Sequence, residues 1–340
     1  MLHSIAKVAV TLNIDRMTNH VVERFYSSKR SAAPHLSRRF QILSYHKVSP
    51  DPHPFFAPVH PDTFEQQMQF LKSCYTVVSL SELVSRIRRG GVPERAVAIT
   101  FDDGYRDNYD FAFPILKKYQ LPATVFVATG AIGTDELIWH DRVFDAFRFA
   151  TVGRTRLADP GVPELCLETI DARMRALQET LVRAKALYGE ERQKFIDDLE
   201  TKLRPEVPAD TRQRMLSWDQ IKEMHHHGLE FGSHTVTHTI LSRIPRSEIV
   251  KELQLSRRTL SEHLGTSIDS FAYPNGKAAD FNDEVKDVLR ECGYSCAVTC
   301  CSGFNHTSTD VFELKRGLPW QKEIELFRFK FFLQRHGLAS

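Results

Sequence analysis

Thr100-Phe101-Asp102-Asp103-Gly104 follows the apolar stretch Val97-Ala98-Ile99, which places two adjacent carboxylates at the end of a short strand. Successive strand residues point to opposite faces, but the chain turns at a strand end, and Gly104 permits dihedrals that bring both carboxylates to one cavity. Far along the chain, His234-Thr235-Val236-Thr237-His238 offers two imidazoles four residues apart. The two segments together supply three metal ligands and one spare carboxylate. A catalytic zinc-type site takes three His or carboxylate ligands and keeps a position for water, whereas a structural site fills all four positions, usually with thiolates. One aspartate can ligate while its neighbour takes a proton from water whose pKa the metal lowers to about 7. Asp-Asp-Gly alone is more often a turn, and an isolated His-x3-His pair is seldom a metal site. Their conjunction at strand ends points to chemistry.

Similar short apolar segments recur along the chain. Gln41 to Tyr45, Ala96 to Phe101, Ala123 to Ala128, Leu229 to Ser233, Ser270 to Tyr273, Cys296 to Cys300 and Val311 to Leu314 alternate with amphipathic stretches. That alternation predicts parallel strands joined by crossover helices. The 340 residues, 42% of them hydrophobic, suffice for one large α/β domain with additions. A net charge of +2 gives no global attraction to nucleic acid. The sequence contains no run of about 20 apolar residues, so no membrane-spanning helix is expected.

The stretches Thr100 to Tyr109 (TFDDGYRDNY) and Gly232 to Leu241 (GSHTVTHTIL) resemble the first two motifs of the polysaccharide deacetylases. Leu43-Ser44-Tyr45-His46, Leu121-Pro122-Ala123-Thr124-Val125-Phe126-Val127, Leu216-Ser217-Trp218 and Phe271-Ala272-Tyr273-Pro274-Asn275-Gly276 are similar to further segments of that family. The resemblance covers roughly residues 41 to 317. It implies a distorted (β/α) barrel of about seven strands, with the site at the carboxyl ends of the strands, as is general for such barrels. It also implies that Asp103, His234 and His238 hold one divalent metal, zinc by preference, with cobalt, nickel or iron compatible with the same ligands. Asp102 becomes the general base, and the backbone N–H of Tyr105 is the candidate oxyanion donor. Tyr273, Pro274 and Asn275 fall where the resemblance places substrate contacts, and Trp139 is either a sugar platform or ordinary packing.

The sequence departs from the family at two points. Many members carry Arg-Pro-Pro-Tyr-Gly where this chain reads Ala272-Tyr273-Pro274-Asn275-Gly276, so the arginine that orients the base is missing there. A Phe-Ala-Tyr-Pro segment resembles the branch acting on poly-N-acetylglucosamine, and Arg316 is a candidate to supply the charge. The late Leu-x-x-His motif that provides the acid is not evident after residue 300. In the same branch a first-strand histidine takes that task, which makes His46 the candidate acid, with His140 and His306 as alternatives and a merely structural strand-end histidine as the other reading.

The expected organisation is a basic amphipathic arm over 1–40, a catalytic domain over 41–317 with a helical insertion at about 142–216, and a basic, aromatic segment over 318–340. In the insertion, Met174, Leu177, Leu181, Ala184 and Tyr188 share one helical face, and Phe195, Ile196, Leu199 and Leu203 continue the pattern. Packing on the barrel, a lid over a sugar groove and a subunit contact all fit it. The arm lacks a continuous apolar core and cleavage site, so no secretory signal is read, and both ends leave peripheral contact with an anionic membrane open beside simple docking. A cytoplasmic protein is expected, at the inner membrane face if that contact exists. The six cysteines lack paired Cys-x2-Cys knuckles and read as free thiols. His225-His226-His227 reads as a helix end rather than a metal site.

The expected activity is metal-dependent hydrolysis of N-acetyl groups on an amino-sugar glycan. A deformylase or O-acetyl esterase would use the same machinery. A glycan-binding relative without catalysis is the non-enzymatic reading, and the intact Asp102, Asp103, His234 and His238 count against it.

Overall fold

Ala96–Phe101 lies in mid-sheet because it is apolar on both faces, and each of its residues is buried. A computed structural model describes residues 39–209 and 214–335; the basic arm lies almost wholly outside them. The strands are β1 (Arg39–Tyr45), β2 (Thr76–Val77), β3 (Ala96–Phe101), β4 (Thr124–Val127), β5 (Arg154–Thr155), β6 (Leu165–Cys166), β7 (Glu230–Ser233), β8 (Ser270–Ala272), β9 (Cys296–Val298) and β10 (Asn305–His306). The main sheet runs β10-β1-β3-β4-β7-β8-β9, with β2 beside β3, and β5 and β6 form a separate antiparallel pair. All main-sheet pairs are parallel except β1 with β10.

Strand alternation divides the core into two layers. Phe40, Ile42, Ala98, Phe126, Ala272 and Val298 make an inner cluster, joined by Leu80, Leu83 and Val84 of the first turns of α2. Here α1 is Pro61–Cys74 and α2 is Leu80–Arg89. Leu43, Tyr45, Ile99, Phe101, Val125, Phe271 and Tyr273 belong to a larger outer layer packed against the helices. The period of two therefore fixes which strand-end side chains point into the barrel.

Val311 to Leu314 differs from expectation. It forms no ladder strand, because Asp310 turns the chain: Glu313 N–H donates to its carbonyl and Phe312 N–H to its side chain. Instead, isolated parallel bridges join Leu314 to Val298 of β9 and Gly317 to Leu43 of β1. The segment sutures the two ends of the curled sheet and closes a distorted barrel. Thr299 N–H donates to Leu314 C=O at 2.8 Å, and Gly317 N–H to Ile42 C=O at 2.7 Å.

The remaining helices are α3 (Phe113–Tyr119), α4 (Trp139–Arg148), α5 (Ile170–Ala186), α6 (Gly189–Leu203), α7 (Trp218–His226), α8 (Arg246–Leu264), α9 (Asp283–Glu291) and α10 (Ile324–Arg335). α5 begins on Thr169, whose side chain accepts from Ala172 N–H, and buries Ala176, Leu177 and Ala184. α6 buries Phe195, Ile196, Leu199 and Leu203. α10 turns Phe327 and Phe331 inward against Phe70 and Tyr75, so those aromatics are occupied by the barrel. No helix among the described residues is long and apolar enough to cross a membrane. Cys74, Cys166, Cys292, Cys296, Cys300 and Cys301 are free thiols.

Gly232 of β7 tests the inner layer. A Cβ there would lie 2.5 Å from the Phe126 ring and 2.6 Å from Ser270 Oγ. Gly232→Ala should therefore cost about 1–3 kcal/mol by overpacking, read as a lower urea midpoint with an unchanged slope. An unaltered midpoint would show that the barrel interior is not packed as described.

Candidate active site

At the carboxyl end of β3, alternation carries Asp102 inward after Ala98 and Thr100. Asp103 then adopts φ +77 and Gly104 φ +87, which bends the chain so that the second carboxylate reaches the same space. Gly104 is required twice over, since a Cβ there would also sit 2.9 Å from Val127 Cγ1. β7 ends on Ser233, and His234 follows it inward. The turn after it holds Thr235 at φ +66 and His238 at φ +53. Strained residues of this kind persist only where surrounding contacts fix them, and they cluster at sites.

The ligand atoms of Asp103, His234 and His238 all lie within 4.8 Å of one another, and the three residues are buried. Asp103 Oδ1 stands 3.5 Å from His234 Nε2 and 3.2 Å from His238 Nε2, yet makes no hydrogen bond although buried. His234 Nδ1 lies 2.7 Å from Ala272 C=O, so it carries the proton and leaves the Nε2 lone pair facing Asp103, the usual arrangement of a ligating histidine. An orphaned carboxylate oxygen between two imidazole nitrogens fits a divalent cation. The donor set, two nitrogens and one oxygen, suits zinc and equally cobalt, nickel or iron. Burial pushes His238 down to about 3. Burial would also raise the carboxyl of Asp103, but the two histidines hold it well below the usual range.

Asp102 meets Arg316. The suture segment continues the inward alternation from Leu314 to Arg316, which is fully buried. Its Nη1 donates to Asp102 Oδ1 at 2.7 Å and its Nη2 to Oδ2 at 2.6 Å. Nε donates to Thr299 C=O at 2.7 Å, and the remaining directions reach Thr100 Oγ1 and Cys300 Sγ. Burial alone would raise the Asp102 carboxyl, but the guanidinium reverses this and holds it below the ordinary range. The charge that is absent at Ala272, the family position, thus arrives from the suture segment.

His46 follows β1 inward, with Nε2 3.7 Å from Asp102 Oδ2. Its Nδ1 is buried without a hydrogen bond. Asn108 Nδ2 donates to His46 C=O at 2.7 Å and fixes the turn. His140 also lines the site, 4.0 Å from Asp103 Oδ2 and 3.0 Å from Tyr105 Oη. His306 lies on β10 against Arg39, at the opposite end of β1, which removes it as an acid. Tyr105 and Met215 form an antiparallel bridge in which Leu216 N–H donates to Gly104 C=O and Arg106 N–H to Arg214 C=O. In such a pair the Tyr105 N–H points away from the partner strand. Its phenol donates to Asp141 at 2.9 Å, and Lys47 pairs with Asp141 at 3.1 Å while lying 4.0 Å over the Tyr105 ring.

Two expected substrate contacts, Tyr273 and Pro274, lie away from the cavity lining. Tyr273 is fully buried, donates to Phe312 C=O at 2.9 Å and stacks on Phe281. It directly follows β8, keeps the odd-numbered outward parity of Phe271 and belongs to the outer layer. Pro274 is buried behind it. Trp139 borders the cavity although largely buried, and its Nε1 donates to His238 C=O at 2.9 Å, so it also braces the loop that presents His238. Asn275 does line the site.

The cavity above these groups measures about 300 Å³ and is bordered by His46, Asp102, Asp103, His140, His234 and His238. Phe56 and Trp320 are shared with a neighbouring cleft of about 690 Å³. Trp320 is 59% exposed. Sequence reasoning missed both aromatics and also Leu181, Lys185 and Lys277 on the rim. The exposed Trp320 follows the suture directly and was the legible signal among them. His225, His226 and His227 lie at the end of α7, with His225 Nδ1 near Leu229 C=O and His227 Nδ1 near Glu223 C=O, away from the cavity lining.

The comparisons agree with this architecture. A family model described as polysaccharide deacetylase matches residues 89–297. The Bacillus subtilis (strain 168) protein YxkH is 22% identical over 280 residues, spanning 82% of this chain and 70% of that protein. A Staphylococcus aureus (strain MSSA476) poly-beta-1,6-N-acetyl-D-glucosamine N-deacetylase is 42% identical over 73 residues, which span 21% of this chain and 25% of that enzyme. Among solved structures, Streptococcus pyogenes deacetylase PplD in complex with acetate superposes with a TM-score of 0.58 at 21% identity, covering 87% of this chain and 98% of that one. IcaB from Ammonifex degensii gives 0.57 at 21%, covering 87% and 97%. At that identity the superpositions speak for the fold. The family match, spanning most of the described barrel, establishes that this chain belongs to the polysaccharide deacetylase family, a family of hydrolases.

Proposed function

We propose that this chain removes N-acetyl groups from an amino-sugar glycan, with Asp102 as general base, His46 as general acid and Asp103, His234 and His238 as ligands of a divalent cation. The observation that carries the reading is the division of the paired aspartates: Asp103 faces two histidines, and Asp102 is gripped by Arg316. A cation held by the triad, zinc by preference, would acidify water and polarise the amide carbonyl. Asp102 keeps free lone pairs on both oxygens and accepts the proton of the attacking water. The N–H of Tyr105 donates to the developing oxyanion, a contribution of about 3–4 kcal/mol for donors of this kind. His46, on the same cavity wall, delivers a proton to the amine as the C–N bond breaks and acetate leaves. Trp139 and Asn275 hold the walls. Phe56 and exposed Trp320 offer apolar ring faces to sugars beyond the reacting residue.

The segment 142–216 acts as a wall of the site rather than as a separate unit, since Leu181 of α5 borders the cavity. Residues 41–317 would carry the chemistry, with 318–340 adding Trp320 and the docked α10. Membrane contact rests on the arm alone, and liposome flotation with and without 1–40 tests it.

Asp102→Asn should lower kcat about 10²–10⁴-fold with metal content unchanged, while His234→Ala should lose metal and activity together, read by elemental analysis of the purified variants. Metal lost from Asp102→Asn with activity restored by added zinc would reverse the two roles. His46→Ala should depress kcat far more than it alters KM, because an acid acts in the transition state; an unchanged kcat removes it from the mechanism. Arg316→Met should cost about 3–5 kcal/mol of stability, the usual result of stranding one partner of a buried ion pair. That loss belongs to neutral pH: a depressed carboxylate stabilises the fold above its ordinary pKa of about 3.9 and ceases to do so as pH falls through its lower folded value. The difference from wild type in urea denaturation should therefore shrink on acidification, and a constant difference would refute the pairing. Mass spectrometry of products from N-acetylated and N-formylated sugars, with and without chelator, separates deacetylase from deformylase; turnover unaffected by exhaustive chelation would sink the metal reading.

A further inference from the structure

We infer that the preferred substrate of this site is an amino sugar carrying an anionic substituent, a phosphate or a carboxylate, which Lys185 and Lys277 receive on the rim of the cavity; this rests on the deacetylase reading above. Lys185 is on the last turn of α5, and Lys277 follows the β8 loop. Both border the same cavity as Asp102, Asp103 and the four histidines. Lys185 is half-buried and its Nζ donates to the neutral side chain of Asn275 at 2.7 Å. Among the described residues neither lysine forms an ion pair with a carboxylate.

The surroundings add to the excess of positive charge. Asp280, the nearby carboxylate, is already engaged: Arg243 approaches Oδ1 at 3.4 Å, and Oδ2 accepts from the Asn275 side chain and from Lys277 N–H. Burial lowers the Lys185 ammonium, and Lys277 and Arg243 lower it further against the pull of Asp280. A half-buried ammonium beside a second lysine is costly unless an opposite charge arrives. Elsewhere on the molecule cations find carboxylates, as Arg142 does with Asp197 and Glu200, or Lys286 with Glu313. The anion in view is not the carboxylate pair below, since Asp102 is neutralised by Arg316 and Asp103 faces the histidines. Two donors from different elements at a cavity mouth suit a group with several acceptor oxygens. Asn275, which also borders the cavity, sets the position of Lys185.

The test uses the full chain loaded with zinc and three N-acetylglucosamine oligosaccharides matched in length: neutral, phosphorylated, and with a uronic acid replacing a neighbouring sugar. The expected result is a kcat/KM for at least one anionic substrate that exceeds the neutral one by about tenfold, the equivalent of about 1.4 kcal/mol, and that falls with added salt. Lys277→Glu should bring the anionic-to-neutral ratio below one, and Lys277→Ala should bring it towards one. The ratio is internal to each variant, so a general loss of folded enzyme cancels. The phosphate and uronate arms identify which anion is read. A wild-type ratio at or below one, or a ratio that Lys277→Glu leaves unchanged, overturns the proposal. Release of acetate from the neutral sugar in that case leaves the deacetylase reading standing, whereas failure of all three substrates removes the reading itself.

Discussion

The buried pair between Arg316 and Asp102 is the constraint around which this barrel is organised. An unpaired guanidinium in the interior would be ruinous, and even a paired one recovers its desolvation cost only when its remaining donors are satisfied. Arg316 meets that condition: all of its N–H directions find Asp102, Thr299, Thr100 or Cys300. Its backbone lies in the short suture that joins β9 to β1. The two conditions are one, since a slip of one residue in the suture would turn the guanidinium outwards and leave Asp102 buried and alone. Closure of the barrel and fixation of the Asp102 carboxylate are thereby the same event.

The pairing has a chemical consequence. A carboxylate held below its usual pKa is ionised at neutral pH but is a weak base, so Asp102 cannot by itself draw a proton from bulk water. On the proposed reading the burden shifts to whatever acidifies the water, the role proposed for a cation held by Asp103, His234 and His238. The two aspartates are adjacent in sequence and equally buried, yet their partners give them different work: histidine nitrogens for one, a delocalised cation for the other. Environment rather than residue type makes the distinction, as in other sites where two carboxylates divide a reaction.

Much of this was legible in the sequence. The paired aspartates, the two histidines and the apolar strands announce themselves locally, and the absence of an arginine beside Ala272 told of a missing charge, for which Arg316 was named. The strand period gave more than was taken from it. Positions 98, 100 and 102 share the inward face with 314 and 316, and the same parity turns Tyr273 outwards. The aromatic next to the motif was therefore the wrong substrate contact for a reason readable in advance. Leu181 and Lys185 were not readable in that way. Their places depend on how α5 lies over the barrel mouth, and packing of that kind has no local signature.

That packing also explains why the ligand loop can hold its strained shape. Thr235 and His238 both have positive φ, without glycine to relieve the cost. Glu252 accepts from the N–H groups of Val236 and Thr237, Trp139 holds the carbonyl of His238, and buried Arg192 of α6 reaches Thr237 C=O and Thr239 Oγ1 while lying 5.2 Å over the Trp139 ring. Arg192 has only long hydrogen bonds there, burial lowers it to about 10, and among the described residues it forms no ion pair with a carboxylate. Two helices from the 142–216 segment thus press on the loop that presents His238 and on the rim that presents Lys185. A segment with no sequence signature of chemistry shapes both the placing of His238 and the charge of the entrance, and the barrel motifs alone specify neither.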